Sequence, residues 1–358
     1  MFEDLGFETL TAPQAAIWFG LILGAAFGLL AEITGFCFRR TVSGPVAERR
    51  PALGLWLVAV VAALIGTQGA VAAGLISFEE HRFFAADLPV LAIIAGGLLF
   101  GAGMVLTRGC VSRLTVLTGT GNLRALLVLV VFAITAHATL KGVLAPLRVA
   151  LGSVTVPLQS AGLSALPGGA WVWTALLALP ALAYAARSGV SPRKAALAVP
   201  LGLLAAIGWV GTGFVLYDDF DPIALESLSF TSTAADTLFW GIAATSIPAR
   251  FGVGLIGGVL AGALVASLLG GRFRWQSFES PAQTGRYMAG ALLMGVGGVL
   301  AGGCTVGAGL SGIPTLSFAA LLAVLAIAAG GVIADRALTP SRAGSGGSSA
   351  TPPARQAA

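Results

Sequence analysis

Nine apolar runs divide this chain, near residues 13–34, 53–76, 88–107, 123–144, 170–186, 194–216, 251–270, 285–302 and 315–334. Crossing about 30 Å of hydrocarbon takes roughly 17 to 25 residues of helix, so each run is the length of one span. Only 10% of the residues are charged and the mean hydropathy is +0.93, where soluble domains carry about 25% charge. The pattern therefore predicts an all-α polytopic membrane protein of about nine transmembrane helices. A piece from Thr237 to Pro248, holding Phe239 and Trp240, is too short to span and reads as a half-helix or re-entrant segment.

The charges that remain give an orientation. Arg39, Arg40, Arg49 and Arg50 follow the first run, Arg187, Arg193 and Lys194 divide the fifth from the sixth, and Arg272, Arg274 and Arg286 divide the seventh from the eighth. Alternate loops are acidic, with Glu79, Glu80 and Asp87 in one and Asp218, Asp219, Asp221, Glu226 and Asp236 in another. By the positive-inside bias the N-terminus lies outside and the C-terminus in the cytoplasm; Arg82, Lys141, Arg148 and Arg250 fall outside the rule. The same bias accounts for a pI near 9.6 without a nucleic-acid partner. An acidic start (Glu3, Asp4, Glu8) is unlike a signal peptide, so the first run is expected to be a retained span. Residues 1–338 read as a single transmembrane domain, and the Gly/Ser-rich 339–358 as a disordered cytoplasmic tail.

Inside this framework one pattern occurs twice. G-A-G-M-V-L-T-R-G-C ends at Cys110 and G-V-G-G-V-L-A-G-G-C ends at Cys304; the third cysteine, Cys37, sits in G-F-C-F-R-R. By span parity the two copies run in opposite directions, the mark of an inverted pseudo-repeat with halves roughly 13–150 and 237–335. A weaker likeness between G-A-A-F-G at Gly24 and G-V-L-A-G at Gly258 has parallel parity and reads as ordinary helix packing. Each thiol adjoins a glycine (Gly35, Gly109, Gly303) that frees the backbone from helical geometry. The hydroxyl- and Gly-rich stretches after Cys110 and Cys304 read as loops dipping to mid-membrane, tolerable only where protein or a water-filled cavity surrounds them.

A lone cysteine in a span is ordinarily a small buried hydrophobe; three of three at glycine breaks point to a site. No C-x-x-C or His-rich tract suggests a metal or cofactor. Neutral thiols, with an unperturbed pKa of about 8.5, suit a soft sulfur-bearing anion better than a hard cation. Arg108 and Arg113 flank Cys110 and either attract an anion at the cytoplasmic mouth or set topology. Glu32, inside the first run, is either a structural ion pair or a proton or gating group. His137, with Lys141 one turn on, either lines a vestibule or is a core histidine bonded to a carbonyl. The seven tryptophans read as interfacial anchors.

These motifs, together with E-S-P-A-Q-T-G-R-Y-M-A-G and T-V-G-A-G-L-S-G around the second copy, resemble the YeeE/YedE family of bacterial sulfur transporters over nearly the whole chain. The resemblance implies an hourglass-shaped inner-membrane protein that imports thiosulfate or a related sulfur anion and is not an enzyme. It also implies a central pathway where Cys37, Cys110 and Cys304 pass the ion along, and a separate cytoplasmic TusA-like sulfur carrier as partner. The alternatives are a membrane-bound sulfur transferase forming a Cys persulfide, a permease for a selenium compound, and a structural subunit of a larger complex.

Overall fold

The computed structural model describes residues 10–85, 87–158, 162–218 and 220–339; the predicted tail, apart from Thr339, lies outside them. Thirteen α-helices follow in order: α1 (Ala12–Thr34), α2 (Arg39–Ser43), α3 (Val46–Ala72), α4 (Val90–Leu106), α5 (Val111–Gly119), α6 (Leu123–Lys141) and α7 (Ala145–Gly152). After these come α8 (Gly169–Arg187), α9 (Pro192–Val210), α10 (Thr231–Ile242), α11 (Phe251–Leu269), α12 (Pro281–Leu300) and α13 (Phe318–Leu338). Among the described residues, nine helical stretches are long and apolar enough to span, and they match the nine apolar runs. The expected half-helix is α10, beginning six residues earlier than the sequence suggested. One two-residue antiparallel pairing, Asp87–Leu88 with Val156–Pro157, ties two loops together.

Backbone-to-backbone packing holds the bundle. In a membrane helices gain nothing from hiding apolar surface, so they associate by close fit along small residues. Gly20, Gly24 and Gly28 on α1 lie against the carbonyl oxygens of Phe251, Leu255 and Val259, while Gly254, Gly258 and Gly262 on α11 lie against those of Ile17, Leu21 and Ala25. Both series ascend together, so α1 and α11 are parallel and in register. The Gly24 and Gly258 stretches are thus each other's packing partners.

The helices leading to the two duplicated motifs meet as well. A side chain at Gly96 would strike the backbone of Ala301, one at Gly103 that of Gly290, and one at Gly297 that of Phe100. Numbers rise along α4 as they fall along α12. The two copies therefore run antiparallel, the relation an inverted repeat requires.

The stretches after Cys110 and Cys304 are helices rather than the expected loops. Residues 111–119 form α5, Thr305–Gly312 winds as a π-helix, and Ile313–Thr315 adds a 3₁₀ turn. The hydroxyls that suggested a loop bond back to the helix: Thr115 Oγ1 donates to the Val111 carbonyl and Thr118 Oγ1 to that of Leu114, both at 2.9 Å. Satisfied in this way, threonine tolerates a buried helix.

Candidate functional site

All three cysteines occupy the same local construction. A long helix ends, the residue two before the cysteine turns left-handed, and a short helix starts at or just after the cysteine. The left-handed residues are Gly35 (φ 68°), Arg108 (φ 58°) and Gly302 (φ 73°). Gly109 and Gly303, expected to free the backbone, have no positive φ; a side chain there would crowd Leu114 or the Ala308 backbone. Cys110 and Cys304 are extended at ψ 165° and −176° and are the N-caps of α5 and the π-helix. The backbone N–H three residues on points at each sulfur: Arg40 toward Cys37, Arg113 toward Cys110, Gly307 toward Cys304. At Cys304 it closes as a hydrogen bond of 3.3 Å, the N-cap arrangement with sulfur in place of oxygen.

Segments far apart in the chain bring these sulfurs near one another. Cys37, Cys110 and Cys304 are 8%, 1% and 0% exposed, and all are free thiols. Cys110 is central: its Sγ lies 3.2 Å from Ser112 Oγ, with the Cys37 thiol and the Thr305 hydroxyl as side-chain neighbours and Cys304 within electrostatic range. The Ser229 hydroxyl, beside Gly307, is buried without a hydrogen-bond partner among the described residues, and that of Thr305 faces no partner but the Cys110 sulfur. Unsatisfied buried hydroxyls are costly; those of Thr67, Thr174 and Thr231 are unpaired as well.

A cavity of about 900 Å³ opens beside Cys304, with Gly307, Ser311 and Ser229 in its lining. Its wall is fixed by Trp209, whose Nε1 donates to the Ser311 carbonyl at 3.1 Å, and by Ser311 Oγ, which donates to the Leu228 carbonyl at 2.8 Å. Arg82 also lines it. Water reaches this guanidinium, yet protein surrounds it closely, and burial draws its pKa down from the usual arginine value. No carboxylate lies within ion-pairing distance of it among the described residues, but it is near enough to interact with Glu226 and, more weakly, with Cys304. Glu79 and Glu80 line the same cavity and, like Arg82, are exposed, so salt screens these charges over about 8 Å. Burial, and then the Arg82 charge, hold His81 down at about 4. Glu226 is pushed upward by burial and the Asp236 charge.

Sequence reasoning missed this cavity. Its one available signal was Arg82 as an exception to the charge bias.

On the opposite side of the thiols lie the flanking arginines. Arg113 is tied by its guanidinium to Glu32 at 3.1 Å and to the Ala31 carbonyl at 3.3 Å. Glu32 also meets Arg272 at 3.4 Å, so its geometry is that of a two-armed ion pair joining α1, α5 and the loop after α11. Arg39 and Arg40 bond instead to Ser43 and Glu48. Arg108 is different: exposed, without an ion pair among the described residues, and held in a left-handed backbone. That conformation costs a non-glycine residue about 1–2 kcal/mol. Arg108→Gly should therefore raise thermal stability in detergent by about 1 kcal/mol, while weakening any anion transfer that uses the charge. Unchanged transport in the stabilised variant would reduce Arg108 to a topology marker.

His137 does not line the large cavity. Its ring stacks on Phe239 at 4.4 Å, and Nδ1 is buried without a partner among the described residues rather than bonded to a carbonyl. Two of the seven tryptophans are not interfacial anchors: Trp56 and Trp209 are 5% and 3% exposed, Trp56 packing on Phe38 and against Gly309.

Comparison with known proteins adds an independent line. Residues 33–333 match the model of a family described as Sulphur transport. A protein of Spirochaeta thermophila described as thiosulfate transporter TsuA is 26% identical over 328 residues, covering 86% of this chain and 94% of that protein. One of Escherichia coli K12 with the same description is 26% identical over 323 residues, covering 81% and 86% respectively.

Proposed function

This chain belongs to the sulphur-transport family, a family of transporters rather than enzymes, and from that premise we propose that it imports thiosulfate or a closely related sulfur anion across the bacterial inner membrane. The anion enters the cavity beside Arg82, passes Cys304, Cys110 and Cys37 in turn as a hydrogen-bond acceptor for neutral thiols, and leaves among the arginines around Arg108. This places the N-terminus outside and the C-terminus in the cytoplasm, where a TusA-like sulfur carrier takes the product. The observation that carries the reading is the meeting of three sequence-distant thiols beside a cavity holding an unpaired guanidinium.

Acid–base chemistry around the sulfurs favours conduction over sulfur transfer. A persulfide-forming enzyme needs a base beside its nucleophile; the side chains at Cys110 are Cys37, Ser112 and Thr305. Radiolabelled thiosulfate uptake into vesicles containing only this protein, with mass spectrometry of the cysteines afterwards, separates the two. Accumulation without a sulfur adduct supports transport; an adduct with no net flux overturns it. Competition by sulfite, sulfate and selenium analogues in the same vesicles identifies the anion.

The sign of the pH dependence follows from the cavity. Protonating Glu226 removes a negative charge from the anion's route, so the apparent KM should fall as pH drops from neutral. His81 stays neutral above about 4 and adds nothing in that window. Glu226→Gln should lower KM at neutral pH and flatten its dependence below neutral, as read by initial uptake rates across pH.

A further inference from the structure

A second cavity, of about 270 Å³, lies where the beginning of α4, the end of α12 and α7 come together. Its lining is divided in character. Arg82 and Arg148 bring two guanidiniums to it, whereas Leu88, Ile93 and Val299 form an apolar wall, and Gly302 lies beneath. Neither arginine has an ion-pair partner among the described residues. Arg148 Nε is buried there with no hydrogen-bond acceptor among them.

Two guanidiniums without ion-pair partners among the described residues line one small space, and a buried donor left unused is costly. A single phosphate monoanion between them answers both, since guanidinium and phosphate pair by short, charge-assisted hydrogen bonds. The apolar wall calls for a hydrocarbon continuation of the same molecule. Access comes from the flank: α7 buries none of its residues, and Val143, Leu147 and Val149 are 87%, 45% and 60% exposed, an apolar surface suited to acyl chains.

We infer that this cavity is a binding site for an anionic phospholipid, its phosphodiester held between Arg82 and Arg148 and the first methylenes of its chains lying along Leu88, Ile93 and Val299. The site touches two parts of the molecule already described. Arg82 lines both cavities, and Gly302 is the left-handed residue that sets Cys304. A bound lipid therefore brackets the backbone turn ahead of that thiol and shares the guanidinium of the larger cavity.

The inference does not depend on what is transported, and its test reads lipid rather than flux. The full chain is extracted from vesicles of equimolar phosphatidylglycerol and phosphatidylcholine, and the lipids retained are counted by native mass spectrometry. Wild type should keep phosphatidylglycerol in preference to phosphatidylcholine. Arg148→Gln should bind it about tenfold more weakly, the scale of one charge-assisted hydrogen bond. Arg148→Lys should recover part of the retention, and Arg193→Gln, an exposed cation outside the cavity, should leave it unchanged. Equal retention of the two lipids overturns the site, as does undiminished phosphatidylglycerol on Arg148→Gln or an equal loss on Arg193→Gln. Displacement of the lipid by excess inorganic phosphate also overturns it, since the cavity would then be a site for soluble anions.

Discussion

On the proposed route, Cys110→Ala should cut uptake of the sulfur anion by about 10- to 150-fold while the protein still inserts and remains folded. Cys110 is the middle sulfur, with Cys37 on one side and Cys304 on the other, so its loss leaves the outer two without a bridge. Removing one buried sulfur costs folding little, about 1–2 kcal/mol by the usual cost of a small cavity. The expected loss of transport is larger. A hydrogen bond to a charged group contributes about 1.5–3 kcal/mol, a factor of about 10 to 150 in rate if it is absent at the narrowest point. Cys110→Ser preserves a donor but shortens the reach, and should recover a fraction of the flux. Initial uptake rates normalised to protein inserted, beside thermal unfolding in detergent, separate chemistry from folding. Full transport by Cys110→Ala would sink the relay.

The second large effect is on stability. Gly258→Leu should prevent assembly of the bundle, because even the first side-chain carbon at that position falls on the Leu21 carbonyl. Neither atom belongs to a flexible side chain that can move aside. Overpacking a fitted core typically costs about 1–3 kcal/mol, and here two backbones must separate along the whole α1–α11 seam. Gly257→Leu, one residue away, is the control: the first side-chain carbon there would meet only the far end of Leu21. Size-exclusion profiles of the two variants, extracted in mild detergent, should show aggregated Gly258→Leu and monodisperse Gly257→Leu. Comparable profiles would mean the seam does not hold the fold.

Gross architecture was legible because hydrocarbon thickness imposes it on the sequence. The fourth apolar run, for instance, was expected at 123–144 and is α6, Leu123–Lys141. The cysteine segments were legible as breaks but not in their conformation. Gly109 and Gly303 drew attention by adjacency, whereas the left-handed turn falls one residue earlier and in one copy on Arg108. Nothing in a motif distinguishes a glycine needed for its φ from one needed for space. Charge counting had a similar blind spot. It set Arg82 and Arg148 aside as exceptions to an orientation rule, yet these two line cavities.

Hanging each sulfur at the start of a short helix has a mechanical consequence. Cysteine has one side-chain torsion, so a thiol anchored this way can swivel between a few staggered settings but cannot travel. Any greater displacement must unwind the cap beneath it or straighten a left-handed turn. On the proposed route, passage past the thiols would then need only small rotations of individual side chains, with no need for one half of the molecule to rock against the other. A gate of that kind stays shut to bulky or strongly hydrated solutes, even while a slender ion slips through.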